Sequence, residues 1–257
     1  MLVDSHCHLD RLDLTPFAGD FSKFLEEVEN SLIDRMLCVC INLSEYPAMR
    51  ELVEGETRID VSVGVHPNEH CAVEPTVAEL VDLGGDERVV AIGETGLDYY
   101  REGYDAAVQE ERFRRHIRAA KQLGKPLIVH SRSAPRDTLR ILTEENAEDV
   151  GGVFHCFTED WSTARGALNL NFCISFSGIV TFKNAATLQD VARRVPSDRY
   201  MIETDSPYLA PVPLRGKPNY PVYIRHVAEF LAGIRGATLS KIADESAANY
   251  FTQFSGS

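Results

Sequence analysis

Seven side chains able to bind a cation or carry a proton recur at comparable places along the chain. They are His6 and His8 in VDSHCHLD, His66 in GVHP, Glu94 in GETG, His130 in PLIVHSR, His155 in VFHCF and Asp205 in IETDSP. Each follows an apolar run that reads as a β-strand. Imidazole nitrogens and carboxylate oxygens are ordinary ligands for divalent ions. His6 and His8 are two residues apart, so on a strand both project from one face. That pair can grip one ion, with Asp205 approaching from the last strand. His130 and His155 can grip a second, and the two oxygens of Glu94 can bridge both. Two ions about 3.5–4 Å apart form a common hydrolytic clamp. A single HxH carries little weight, and a lone buried histidine is usually just hydrogen-bonded. Six candidates at five strand ends weigh more, because ionisable groups rarely cluster in an interior without pairing or metals.

The elements that must position these residues alternate. Short apolar runs read as strands at Leu2–Asp4, Met36–Ile41, Ile59–Val65, Val89–Gly93, Pro126–Val129, Gly152–Phe154, Phe172–Phe176 and Tyr200–Glu203. Most are continuous Val/Ile/Cys/Phe runs, as parallel strands covered on both faces require. Amphipathic stretches at Phe21–Asp34, Ala107–Leu123, Asn184–Val195, Pro221–Ile234 and Ser240–Phe254 read as helices. Gly124 stops the second of these, and Lys125-Pro126 opens the next strand. Eight strands alternating with helices over 257 residues point to one (β/α)8 TIM barrel, a single domain over 1–257. The functional residues then share its C-terminal face. An open doubly wound sheet is the rival, but no GxGxxG follows the first strand.

Composition narrows the setting. A net charge of −13 opposes non-specific adhesion to nucleic acid, without excluding a strand held at one site by cations and a few arginines. No apolar run approaches the roughly 20 residues of a membrane span. The N-terminus lacks the basic-then-apolar pattern of a secretory signal. The six cysteines form no CxxC pair, which argues for reduced thiols and a cytoplasmic location. Cys7 and Cys156 are each expected to face away from the neighbouring ligand.

Other residues suit supporting roles. His66 could bind substrate phosphate, assist a further ion or orient the ligands. Glu203, two before Asp205, is expected to face the interior and steady the ligands. Arg132 and Arg101 could meet a phosphate, and Tyr99 or Tyr100 could stack on a base. Asp98 could hold an arginine or a water. Lys183, Arg215 and Lys217 could form a locally basic rim.

The segments VDSHCHLD, GVHP, AIGETGLDYY, PLIVHSR, FHCF, SFSGIVTFKN and ETDSPYLAP together resemble the TatD family of metal-dependent deoxyribonucleases. They occur in the expected order from residue 3 to about 211, with no departure at the candidate ligand positions. The resemblance implies a TIM barrel of the amidohydrolase-like group. It implies one ion on His6, His8 and Asp205, a second on His130 and His155, and Glu94 between them. It also implies hydrolysis of DNA phosphodiester bonds, often from the 3′ end, with Mg²⁺ as the usual activator.

The expected reaction is two-metal hydrolysis of single-stranded DNA or of strand ends by a monomer, with Glu94 and Asp205 catalytic. Imidazole-rich sites favour Zn²⁺, Mn²⁺ or similar ions, whereas Mg²⁺ prefers oxygen. Activity is therefore expected with Mg²⁺ or Mn²⁺, and Zn²⁺, Fe or Ni as the ion retained on purification. The same site could instead hydrolyse a small ester or amide, or an aminoacyl ester on RNA. Related barrels for small amides often bridge their ions with a carboxylated lysine, and Glu94 stands at that place here. A non-catalytic binding scaffold would leave the complete donor set unexplained.

Overall fold

The computed structural model describes residues 1–254. Eight strands pair side by side in chain order, every pair parallel. They are β1 (Leu2–Cys7), β2 (Ile33–Cys38), β3 (Ile59–Val63), β4 (Val89–Asp98), β5 (Leu127–Arg132), β6 (Gly152–Phe154), β7 (Phe172–Phe176) and β8 (Tyr200–Ile202). The helices are α1 (Phe21–Glu29), α2 (Tyr46–Leu52), α3 (Val77–Gly84), α4 (Ala106–Leu123), α5 (Pro135–Glu144), α6 (Trp161–Asn169), α7 (Ala186–Arg194), α8 (Ile224–Arg235) and α9 (Leu239–Phe254). This is the (β/α)8 barrel that the alternation predicts. Among the described residues no helix is long and apolar enough to cross a membrane.

Two apolar layers hold it together. One lies between the sheet and the surrounding helices and includes Met36, Val61, Phe113, Ile117, Ile141, Phe172, Val191 and Val227. The other fills the lumen: Val3, Leu37, Ala91, Ile128, Val153, Cys173 and Met201 meet Tyr250 and Phe254 of α9. The Tyr250 hydroxyl donates to Asp60 Oδ2 at 2.7 Å, at the opening of β3, and Arg35 holds the other oxygen of Asp60 at 2.8 Å. Strand openings form the N-terminal face of such a barrel, so α9 plugs the end opposite the chemistry.

The seam between β1 and β8 closes at the functional end. Asp205 N–H donates to His6 O at 3.0 Å, and His8 N–H donates to Ser206 O at 2.8 Å. The buried Asp4 carboxylate reinforces this closure by accepting from Thr204 N–H at 2.9 Å and Thr204 Oγ1 at 2.5 Å.

Several element bounds differ from those the sequence suggests. β1, β4 and β5 run on to Cys7, Asp98 and Arg132, so His6, Glu94 and His130 lie inside strands rather than after them. A polar residue interrupts the apolar run there, but parallel pairing continues, as at Gly96 opposite His130. α1 ends at Glu29 and β2 already begins at Ile33, because Leu32 and Ile33 fit a helical stripe and a short strand equally well. Helices α2, α3, α5 and α6 are short and partly polar, and are not delimited by the apolar pattern alone.

Replacing Tyr250 with Ala removes a buried ring from the lumen and should cost about 3–5 kcal/mol of stability. Tyr250→Phe should cost only about 1 kcal/mol, the net worth of one hydrogen bond. Urea denaturation of both variants checks this. Equal losses would show that the Asp60 contact, not the ring, secures the plug.

Candidate metal centre

Glu94, buried at a register break within β4, is the focus of the site. Its Oε1 lies 2.7 Å from His155 Nε2, 2.9 Å from His130 Nδ1 and 3.4 Å from His66 Nε2. Its Oε2 lies 3.4 Å from His6 Nε2 and 3.9 Å from His8 Nε2. Asp205 Oδ1 completes the second group, 3.5 Å from His8 Nε2 and 3.8 Å from His6 Nε2. The six candidate ligands therefore converge from five strands or strand ends, with one oxygen of Glu94 turned toward each imidazole pair. The His6 and His155 rings stack at 4.0 Å between centroids, joining the two halves.

Local backbone makes this convergence possible. Regular register breaks between Asp4 and Cys7 on β1, so simple alternation does not describe the wall: Ser5 also faces inward, onto Ser175 at 3.2 Å. Gly96 has φ +139°, and a Cβ there would stand 2.0 Å from His130 O. Only glycine lets β4 press this closely on β5 beside His130.

His8, His130 and His155 are oriented from behind. His8 Nδ1 donates to Val39 O at 3.0 Å, leaving the Nε2 lone pair toward the centre. His130 Nε2 faces Asp98 Oδ2 at 3.2 Å, leaving Nδ1 toward Glu94. His155 Nδ1 faces Glu203 Oε1 at 3.5 Å, and Glu203 also accepts Cys156 N–H at 2.7 Å. A carboxylate or carbonyl behind each ring is the usual support for a metal-binding histidine. His6 Nδ1, His155 Nδ1 and Glu203 Oε2 are buried without a hydrogen-bond partner, so His155 meets Glu203 only by a 3.5 Å charge contact and His6 has no support behind it.

His66 differs. Its Nδ1 accepts Asn68 N–H at 3.0 Å. In the neutral ring Nε2 then carries the proton and aims a donor, not a lone pair, at Glu94. Burial lowers the pKa of His66 to about 3, which keeps it neutral. Its loop is clamped by α4: Arg112 Nη1 donates to His66 O at 2.8 Å, and Val65 N–H donates to His116 Nε2 at 3.0 Å.

The electrostatics describe a carboxylate pair that attracts positive charge. Burial opposes ionisation of Glu94, but His155 and His130 outweigh it and hold its pKa well below the usual range. Burial also opposes a charge on His155, yet Glu94 and Glu203 hold its pKa well above the ordinary imidazole value. His6 goes the other way, lowered by burial and then by His155. Two imidazole nitrogens meet at 3.3 Å in each pair, His6 with His8 and His130 with His155. Two bare lone pairs that close repel unless a proton or a metal cation lies between them. Sets of ligand atoms within 4.8 Å of one another are His6, His8 and Asp205; His66, Glu94 and His130; and His6, His155 and Glu203. The donor set and the facing nitrogens fit divalent ions.

The remaining candidates lie around the mouth. Arg132 is exposed, its guanidinium stacked 3.9 Å over the Tyr100 ring. Tyr99 does not face the mouth freely: its ring stacks on Tyr104 at 4.7 Å and its hydroxyl reaches Glu110. Tyr100, the next residue, is the exposed one at 64%. Arg101 lines a cavity of about 470 Å³ with Asn68, His70, Cys71, Tyr104 and Arg112, beside the centre rather than in it. Lys183, Arg215 and Lys217 are exposed, and Arg215 covers the Phe182 ring at 4.2 Å. Cys7 lies in the outer core, donating to Leu37 O. Cys156 follows the end of β6, where alternation no longer applies, and it meets Ser177 Oγ at 3.1 Å.

Sequence reasoning missed Asp4, Asn68 and Asn219, and gave Asp98 a different partner. Asp98 holds His130 and accepts from Asn68 Nδ2 at 2.7 Å. Its place four residues after Glu94 was the available signal.

Known proteins resemble the chain over nearly its whole length. A relative from Escherichia coli strain K12, the uncharacterized metal-dependent hydrolase YcfH, is 48% identical over 98% of this chain and 95% of its own length. The 3′-5′ ssDNA/RNA exonuclease TatD of Klebsiella pneumoniae is 29% identical over 95% of each chain. The crystal structure of YJJV, a TatD homolog from Escherichia coli K12, superposes with a TM-score of 0.90 over 100% of this chain and 98% of its own, at 24% identity, and so speaks for the fold. The model of the family described as TatD related DNase matches residues 3–255. This chain therefore belongs to the TatD-related DNase family of metal-dependent hydrolases.

Proposed function

We propose that this chain is a nuclease that hydrolyses DNA phosphodiester bonds at single-stranded 3′ ends with two divalent ions. The observation that carries the reading is the position of Glu94, one oxygen toward His6 and His8 and the other toward His130 and His155. The name of the Klebsiella relative supports the substrate class.

In this reading His6, His8 and Asp205 would hold one ion, His130 and His155 would hold the other, and Glu94 would serve both. Bound ions of this kind polarise the scissile phosphate, lower the pKa of water and steady the leaving oxygen. Mg²⁺ or Mn²⁺ supports turnover, while the imidazole-rich donors retain Zn²⁺, Fe or Ni more firmly. Asp205 accepts the proton of the attacking water. Burial opposes its charge, but His8 and His6 keep it ionised. His66 offers its Nε2 proton to a non-bridging phosphate oxygen. Arg132 and Arg101 bind neighbouring phosphates at the mouth. The protein acts as a monomer in the cytoplasm.

Glu94→Ala should lower nuclease turnover at least about a hundredfold, since it disturbs both ions at once. A time course on end-labelled single-stranded DNA with Mn²⁺, Mg²⁺ or chelator reads this and the order of products. Hydrolysis of small esters or aminoacyl esters, with DNA left intact, would overturn the nuclease reading.

Asp98→Ala should weaken one of two ion-binding events about 10–100-fold, because His130 loses the group that fixes its tautomer. Calorimetric titration with Mn²⁺ checks it. Equal weakening of both events would mean that Asp98 supports the whole centre rather than one half.

A further inference from the structure

Two exposed tyrosines follow strands on opposite sides of the barrel, each tied by backbone to one half of the centre. Tyr208 follows β8 and is 49% exposed. Its N–H donates to Asp205 O at 2.9 Å, and its ring meets the His8 ring edge-on at 5.9 Å. The loop that carries it is fixed from beneath: buried Asn219 donates through Nδ2 to Thr204 O at 2.9 Å and to Tyr208 O at 2.6 Å. Tyr100 follows β4, four strands away around an eight-stranded barrel. Its N–H donates to Asp98 Oδ1 at 3.0 Å, and Asp98 in turn holds His130.

One face of the Tyr100 ring carries the Arg132 guanidinium at 3.9 Å and the ring is still 64% exposed, so it and Tyr208 each offer a free face on a firmly held backbone. Neither ring is required to orient a candidate ligand, since His8 is held by Val39 O and His130 by Asp98. Bases present a flat π-face whatever their sequence, and stacking on an aromatic ring is worth several-fold to a hundredfold in affinity. The rings follow strands on opposite sides of the barrel, so a strand laid across the mouth can meet both.

We propose that Tyr208 and Tyr100 are base-stacking platforms on either side of the scissile phosphate, so that the site selects unpaired nucleotides on both sides of the bond it cuts. The proposal rests on the nuclease reading and names its specificity device. A paired base keeps its faces against its neighbours and cannot use either ring, so the device favours single strands and frayed ends over blunt duplex.

The test is fluorescence anisotropy with a dye-labelled, phosphorothioate-linked single-stranded octanucleotide, in two versions: all bases present, or the 3′-terminal residue abasic. The proteins are the wild type, Tyr208→Ala, Tyr208→Trp and Tyr100→Ala, each loaded with Mn²⁺ and checked for equal metal content. One of the two Ala variants should weaken binding of the complete strand roughly 5- to 100-fold and lose that deficit on the abasic strand. The other should weaken both strands, its base being one that both retain. For Tyr208, Trp should restore affinity. Unchanged binding in either Ala variant, or equal losses on both strands in both variants, overturns the stacking pair. If the wild type binds neither strand, the nuclease reading itself fails and takes this inference with it.

Discussion

Removing two carboxylates and four imidazoles from water is costly, and charges left uncompensated in an interior cost several kcal/mol each. The barrel nevertheless buries Glu94 at its mouth with histidine nitrogens facing both of its oxygens. The histidine pairs bring nitrogens to 3.3 Å, close enough for one N–H···N hydrogen bond in each pair, whereas two bare lone pairs or two N–H groups facing each other would repel. Divalent ions satisfy carboxylates and lone pairs together. Most of what is unusual in the fold serves that constraint: the close approach at Gly96, the register break on β1 and the Asp4–Thr204 tie across the seam.

The molecule divides labour between its two ends. At the N-terminal end α9 fills the lumen with Tyr250 and Phe254, so the barrel is stabilised by packing far from the centre. At the C-terminal end, polar groups are held by other polar groups. Arg112 and His116 of α4 fix the loop that carries His66, and Asp98 fixes His130 and the backbone of Tyr100. Asn219 fixes the loop between Asp205 and Tyr208. Orientation of the donors is thus set before any ion or substrate arrives, which is what preorganised catalysis requires.

The barrel and the candidate ligands were legible because both leave one-dimensional marks. Buried parallel strands are unbroken apolar runs, and His6, Glu94, His130, His155 and Asp205 interrupt or follow them. The same interruption misled the bounds of β1, β4 and β5, where pairing continues past the polar residue. The supporting groups left no such mark. Asn68, Arg112 and Asn219 look like ordinary polar loop or helix residues until folding brings them against a histidine or its loop. Tyr99 and Tyr100 were indistinguishable by type, and only packing against Tyr104 separates the half-buried ring from the exposed one.

The central claim is that one carboxylate stands between two ions, each held by its own pair of imidazoles. Anomalous diffraction from crystals of the protein soaked in Mn²⁺ tests it most directly. The account predicts two peaks per chain, one bounded by His6, His8 and Asp205, the other by His130 and His155, with Glu94 touching both. A single peak that leaves one imidazole pair bare, or ions bound elsewhere while these six side chains pair only with one another, would contradict it.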